Sequence, residues 1–219
     1  MTLPRLFVLT DRTQCAGPLP DVVAVAVEHG ARAVVLREKD LPEVERDALA
    51  RDLRAVLDPV GGLLVRAGPA AAGAAPEAVH LSAVDAVPSP RPRLVGRSCH
   101  SPGELARAAE EGCDYVFLSP VHPTPSKPGY GPVLGVAGFG RMLAGAPPAY
   151  ALGGVLPDSV PGLLAVGAAG VAVMGTVMRR PETVAAYCAR LAAESDAPPG
   201  AGEPDDRARA GRHAGPSRG

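Results

Sequence analysis

Short apolar runs rich in valine and leucine recur along the chain, and each is bounded by glycine, proline or charged residues. Most of the runs are continuous rather than alternating with polar residues, which is typical of parallel strands buried on both faces. The pattern therefore predicts a sheet of eight parallel strands. The eight runs are 6–11, 31–38, 61–67, 77–82, 93–99, 114–120, 148–154 and 170–175.

Segments of helical composition, rich in Ala, Leu, Arg and Glu, follow most of these runs. Parallel strands need crossover connections, and such segments supply them. Ser101 can cap a helix that has Pro102 in its first turn and Glu104 in the capping-box position. The connection 83–92 is too short and too rich in proline for a helix. Helices are predicted most clearly over 41–57, 101–112, 157–167 and 181–194.

Eight strand segments, most of them followed by a helix, fit a compact α/β fold of the (β/α)₈ TIM barrel type. A doubly wound sheet would favour a glycine-rich turn after the first strand, but the residues at 12–15 are Arg-Thr-Gln-Cys. We therefore expect one barrel domain over 1–194. Residues 195–219 contain no large apolar side chain, which predicts a disordered tail.

Composition narrows the class of partner. The chain has 219 residues, a formal net charge of -1, no Trp and 3% aromatic residues, which argues against a nucleic-acid partner. No apolar run reaches the roughly 18 residues of a membrane span, and no charged segment precedes an apolar one at the start. The four cysteines form no CxxC pair that would indicate zinc. We expect a cytoplasmic protein with a small-molecule ligand and leave a homo-oligomer open.

The predicted strand ends carry charge. Catalytic residues of a TIM barrel cluster at the carboxyl ends of its strands. The chain has 22 basic residues but only two lysines, and both of them, Lys39 and Lys127, follow predicted strands. Together with Arg37 they would form a cationic rim suited to phosphate or diphosphate, with Glu38 and Asp40 holding the two cations of their own loop in place. Ordinary solvated loop charges are the alternative.

Glycines follow the last two predicted strands at Gly153, Gly154 and Gly175. TIM barrels often hold a phosphate in these loops, where backbone N–H groups approach the anion. These glycines therefore predict a phosphate site, although plain turn residues would look the same in the sequence.

The order of the strand-end motifs resembles the thiamine phosphate synthase/TenI superfamily over roughly residues 6–190. The segment at strand six, followed by the Gly-Gly and GVAV elements, is specific in combination. The motifs are LFVLTD, LREKD, AVHLSAVD, VGRSCHS, DYVFLSPVHPTPSKPG, ALGGV and GVAVMG.

This resemblance implies a (β/α)₈ barrel and an enzyme of thiamine biosynthesis. Thiamine phosphate synthases join hydroxymethylpyrimidine diphosphate to hydroxyethylthiazole phosphate with Mg²⁺ and release diphosphate. Carried over by position, the resemblance implies anion-binding roles for Arg37, Lys39, Ser98, Thr124, Ser126 and Lys127, thiazole phosphate binding at Gly153 or Gly154 and at Gly175, and a metal-binding role for Asp85.

The chain also departs from the synthase pattern. Val35 stands where the pattern has Gln, and Arg66 and Ala67 stand where it has Asn-Asp. The loss of that aspartate leaves Asp85 alone, whereas Mg²⁺ bound through a diphosphate usually has one or two protein carboxylates as ligands. A magnesium requirement is therefore weakened, although the synthase interpretation would still include Mg²⁺.

TenI-like members lack this metal pair and are similar to the chain in the GRS-x-HS run at 96–101. The thiazole tautomerases among them shift a proton with a His near the end of strand six. Pro120 holds that position here, so His122 is the nearest candidate acid/base, in the loop that also carries Lys127. His80 and His100 fit packing and capping roles.

We therefore expect a TenI-like enzyme that performs proton transfer on a thiazole phosphate without an obligatory metal. Thiamine phosphate synthase is the main alternative. A catalytically silent protein that binds a thiazole or thiamine phosphate is the second alternative.

Overall fold

A closed barrel of eight parallel strands forms the centre of the computed structural model, which describes residues 2–68, 77–124 and 132–193. The strands pair in chain order, and β8 closes the barrel by pairing with β1. The predicted (β/α)₈ fold is confirmed. The strands are β1 (Leu6–Leu9), β2 (Ala33–Leu36), β3 (Leu63–Ala67), β4 (Ala78–Leu81), β5 (Leu94–Cys99), β6 (Tyr115–Leu118), β7 (Ala149–Leu152) and β8 (Gly170–Val173).

Within the described ranges the α-helices are α1 (Leu19–Glu28), α2 (Glu43–Leu57), α3 (Pro102–Glu110), α4 (Gly135–Arg141), α5 (Val160–Ala165), α6 (Gly175–Arg179) and α7 (Val184–Ala193). The four clearest helical predictions correspond to α2, α3, α5 and α7. The connection between β4 and β5 contains no helix, as expected. None of the helices in these ranges has the length and apolarity to cross a membrane.

The start of α3 shows how the sequence encodes a local boundary. Ser101 caps the helix, because its side chain accepts a hydrogen bond from the Glu104 backbone N–H. The Glu104 carboxylate departs from the capping-box expectation: it accepts from the backbone N–H of His100, one residue before the cap. This bond ties the helix to the end of β5 at the mouth of the barrel.

Two apolar layers stabilise the fold. One lies between the sheet and the helices, and the other fills the interior of the barrel. The chain has only three Phe and four Tyr, and four of these seven rings, Phe7, Tyr115, Phe117 and Tyr150, pack together inside the barrel. Gly96 makes room for them, since a Cβ there would lie 2.1 Å from the Tyr115 ring.

These rings fill part of the barrel interior. A cavity opens at the carboxyl ends of the strands. The predicted tail at 195–219 lies outside the described residues.

Candidate active site

A cavity of about 510 Å³ opens at the carboxyl ends of the strands. Its charged side chains are all cationic: Arg37, Lys39 and Arg179 line it, whereas no Asp or Glu among the described residues does. His80, His100 and several hydroxyl groups also line the cavity and add polar contacts. Because cationic groups and hydroxyl donors surround the space without a competing carboxylate, the cavity suits an anionic ligand.

The loop after β2 places Arg37 and Lys39 at the lining of the cavity. Its geometry is set partly by Thr10, whose hydroxyl oxygen accepts a 2.9 Å hydrogen bond from the Arg37 backbone N–H. Thr10 follows β1, and β1 pairs with β2, so barrel closure brings the two loops together. Both cations therefore project from a loop that the neighbouring strand supports.

Glu38 and Asp40 do not hold those two cations, which corrects the expectation from the sequence. They form ion pairs with Arg12 instead, at 3.0 Å and 2.6 Å. Glu38 is only 3% exposed and also accepts from the Arg12 backbone N–H. The hydrogen bond from Arg12 lowers the pKa of Asp40. Because Arg12 occupies both carboxylates, Arg37 and Lys39 remain available to an anion.

The cavity floor contains a pair formed by His80 and Ser98. The His80 Nε2 lies 2.9 Å from the Ser98 Oγ, and its Nδ1 lies 3.2 Å from the Tyr115 hydroxyl oxygen. His80 also stacks on Phe117, which confirms its expected packing role. Burial, reinforced by the nearby Lys39 and Arg97 charges, lowers the pKa of His80 to about 3. The imidazole is therefore neutral at pH 7, and it fixes the orientation of the Ser98 hydroxyl.

His100 also lines the cavity, at the end of β5. Its ring Nδ1 lies 2.8 Å from the backbone oxygen of Ser119, and Ser119 itself lines the cavity. This contact joins the ends of β5 and β6. The sequence had suggested only a capping or loop role for this histidine, and its polar neighbours alone could not have placed it in the cavity.

His122 lies close to the cavity but does not line it. Its backbone N–H donates to the Gly153 oxygen at 2.9 Å, and its Nε2 is buried without a hydrogen-bond partner in the described part of the chain. Thr124 lines the cavity, whereas Ser126 and Lys127 lie outside the described residues. The proposed acid/base role of His122 stays a prediction.

The glycine pair after β7 lines the cavity and lies against the loop after β6. Gly154 has φ +63°, and a Cβ there would lie 2.5 Å from the Pro123 backbone oxygen. Both the left-handed backbone and the close approach therefore require glycine at this position. Gly153 and Gly154 are close-packing residues as well as cavity residues, so they are more than plain turn glycines.

Gly175 lines the cavity at the start of α6, beside Arg179. The sequence does not predict α6, because the apolar run of β8 extends to its start, and Arg179 is therefore a cavity residue that the sequence pattern does not reveal. The only available signal was the Arg-Arg pair at 179–180, four residues beyond the expected phosphate loop.

The described residues do not fit a magnesium site built on two carboxylates. Asp85 does not line the cavity, and its side chain accepts from the Ser82 backbone N–H at 2.7 Å. Ala67 lines the cavity where the synthase pattern has Asp, and Arg66 pairs with Glu43 instead. Within the described ranges there is no group of three or more His, Cys, Asp or Glu that could hold a metal ion.

Comparison with known proteins agrees with the sequence motifs and the fold. The sequence model of a family described as thiamine monophosphate synthase matches residues 6–177. A protein of Geobacter sulfurreducens named "Putative thiamine-phosphate synthase" is 38% identical over 188 residues, which are 81% of this chain and 88% of that protein. The thiamine-phosphate synthase of Methanoculleus marisnigri is 35% identical over 192 residues, 83% of this chain and 90% of that protein.

The fold has a clear counterpart among solved structures. The thiamine phosphate pyrophosphorylase from Pyrococcus furiosus superposes with a TM-score of 0.73 and 24% sequence identity. The match covers 86% of this chain and 96% of that chain. At this identity the likeness supports the barrel architecture alone.

Proposed function

The chain belongs to the thiamine monophosphate synthase family of thiamine-biosynthesis enzymes, and on this premise we propose that it forms thiamine phosphate. It joins hydroxymethylpyrimidine diphosphate to hydroxyethylthiazole phosphate and releases diphosphate. The names of its relatives favour this reaction over the tautomerase expected from the sequence.

The observation that carries the proposal is that two separate groups of candidate anion-binding residues line one cavity. Arg37 and Lys39 form the first, after β2, and the loops after β7 and β8 form the second. A synthase must hold two phosphorylated substrates together, whereas a tautomerase holds one. Two regions therefore match the synthase reaction better.

The residues that line the cavity can assist the bond changes of the synthase reaction. The bond between the pyrimidine methylene carbon and its diphosphate oxygen breaks, and the thiazole nitrogen forms a bond to that carbon. Negative charge develops on the departing diphosphate, which Arg37 and Lys39 would stabilise. Ser98, held by neutral His80 on the floor, would orient the substrate by a hydrogen bond.

A single assay tests the proposal. The full chain is incubated with both substrates, with and without Mg²⁺, and thiamine phosphate is measured by its oxidation to fluorescent thiochrome. We expect product, and we expect Arg37→Ala to lower kcat/KM by about 100-fold, since charge-assisted contacts to the leaving group strengthen in the transition state. Arg54→Ala, which removes an exposed arginine on α2 away from the cavity, is the matched control and should leave the rate unchanged.

The tautomerase alternative keeps one specific support, which is Ala67 at a cavity position where synthases have a carboxylate. Turnover of a thiazole carboxylate phosphate tautomer, without any reaction of the pyrimidine diphosphate, would replace the synthase proposal with this one. Binding of thiazole phosphate without turnover in either assay would leave the silent binder.

A further inference from the structure

Arg179 is a cavity cation to which the family motifs assign no role. It lies at the end of α6, four residues after Gly175, which starts the helix. Residues four apart share a helix face, and helical side chains lean towards the N-terminus. The Arg179 side chain therefore extends back over Gly175. A Cβ built on that glycine would lie 2.9 Å from the Arg179 Nη1 and 3.3 Å from its Nη2.

Gln14 fixes this guanidinium from the neighbouring strand end. The Arg179 Nη1 donates a 2.5 Å hydrogen bond to the Gln14 Oε1. The Gln14 Nε2 in turn donates to the Asp11 Oδ2 at 2.7 Å. Gln14 is the only glutamine in the chain, and it lies where a carboxylate would have paired with the arginine.

The amide matters because it orients the guanidinium without neutralising it. An arginine has five N–H donors, and Gln14 accepts from one of them. None of the ion pairs formed within residues 2–68, 77–124 and 132–193 includes Arg179. The positive charge therefore stays available at the edge of the cavity.

We infer that Arg179 binds the phosphate group of the thiazole substrate beside Gly175 and that Gln14 is its positioning residue, an inference that rests on the proposed function. The absence of a side chain at residue 175 is part of the site, since the guanidinium and the Gln14 amide fill the space that a Cβ would need. Planar guanidinium groups suit phosphate because two N–H groups can contact two oxygens.

Direct binding tests the inference apart from turnover. The full chain is titrated by calorimetry with hydroxyethylthiazole phosphate and with the unphosphorylated alcohol. Arg179→Ala should weaken binding of the phosphate ester about 10-fold to 100-fold and leave the affinity for the alcohol unchanged, as expected for loss of a charge-assisted hydrogen bond. Arg180→Ala is the matched control, because this adjacent arginine is also exposed and does not line the cavity.

Gln14→Glu tests the positioning role. A carboxylate at this position would pair with Arg179 and compete with the phosphate, so binding of the ester should again weaken while affinity for the alcohol holds. In the synthase assay both variants should raise KM for the thiazole phosphate and leave KM for the pyrimidine diphosphate unchanged. Unchanged affinity of Arg179→Ala for the phosphate ester, or an equal loss of affinity for the ester and the alcohol, would overturn the inference.

The two proposals can fail separately. If the wild-type chain binds neither thiazole, the proposed substrate is wrong, and inorganic phosphate becomes the probe. Phosphate binding that is lost in Arg179→Ala and kept in Arg180→Ala would sustain Arg179 as an anion-binding residue. Phosphate binding independent of Arg179, or no phosphate binding, would overturn it.

Discussion

The Arg12 side chain spans two loops by pairing with Glu38, which is 3% exposed, at 3.0 Å. Arg12 follows β1 and Glu38 follows β2, so the pair fastens the loop that carries Arg37 and Lys39 to its neighbour. An exposed ion pair contributes little to stability, but the burial of Glu38 makes the loss of its partner costly. The same contact therefore serves both stability and the orientation of the anion site.

Removing Arg12 tests both roles. Arg12→Ala leaves the buried Glu38 carboxylate without its guanidinium and should lower the free energy of unfolding measured by urea denaturation. It should also raise KM for the pyrimidine diphosphate several-fold. Arg54→Ala serves as the control. A double variant with Glu38→Gln should recover part of the stability, and no recovery would show that Glu38 does not depend on Arg12.

The buried His80 should make the stability of the folded chain sensitive to acid. Its pKa is about 3 in the folded chain against an ordinary 6.5, so the unfolded chain binds a proton that the folded chain excludes. The stability that His80 contributes is present above pH 6.5 and is lost progressively as the pH falls towards 3. Between pH 7 and pH 5 the loss should be about 2 kcal/mol.

His80→Gln supplies the comparison for that measurement, because glutamine keeps hydrogen-bonding capacity and does not titrate. Urea denaturation of both chains at pH 7, 6 and 5 should show a shallower pH dependence for the variant. Parallel pH profiles would mean that His80 is not the group responsible.

Anion binding should persist without metal ions. The proposed donors are Arg37, Lys39 and the region around Gly175, and no carboxylate among the described residues lines the cavity. Titration of hydroxyethylthiazole phosphate in excess EDTA should give nearly the same affinity as in Mg²⁺. A loss of about tenfold or more would show that a metal ion bridges the phosphate and the protein.

Variants in the loop after β6 distinguish the synthase reaction from the tautomerase reaction. For a synthase, Lys127→Ala should cut kcat by about 100-fold if Lys127 stabilises the departing diphosphate, whereas His122→Ala should have little effect. For a tautomerase, His122→Ala should lower turnover by about 100-fold with binding retained. Measuring both variants with each substrate set decides between them, and indifference of both in every assay would favour the silent binder.

Much of the fold could be predicted from the chain because the relevant signals are local. Strands buried on both faces are largely apolar, so most of the β-strands appear as continuous runs such as 6–11 and 170–175. Helix α6 could not be predicted, since its five residues directly follow β8 and are too few to show a helical period. Position at a strand end was enough to place Arg37, Lys39 and the glycines at the cavity.

The sequence by itself determined the barrel and the order of its strand ends, because burial and chain connectivity constrain each segment separately. Only the tertiary structure decided which strand-end groups meet. Arg179 and Gln14 are 165 residues apart and touch because β8 pairs with β1, and Arg12 takes Glu38 because β1 pairs with β2. Side-chain contacts of this kind depend on barrel closure, and they cannot be predicted from local sequence patterns because the residues are far apart in the chain.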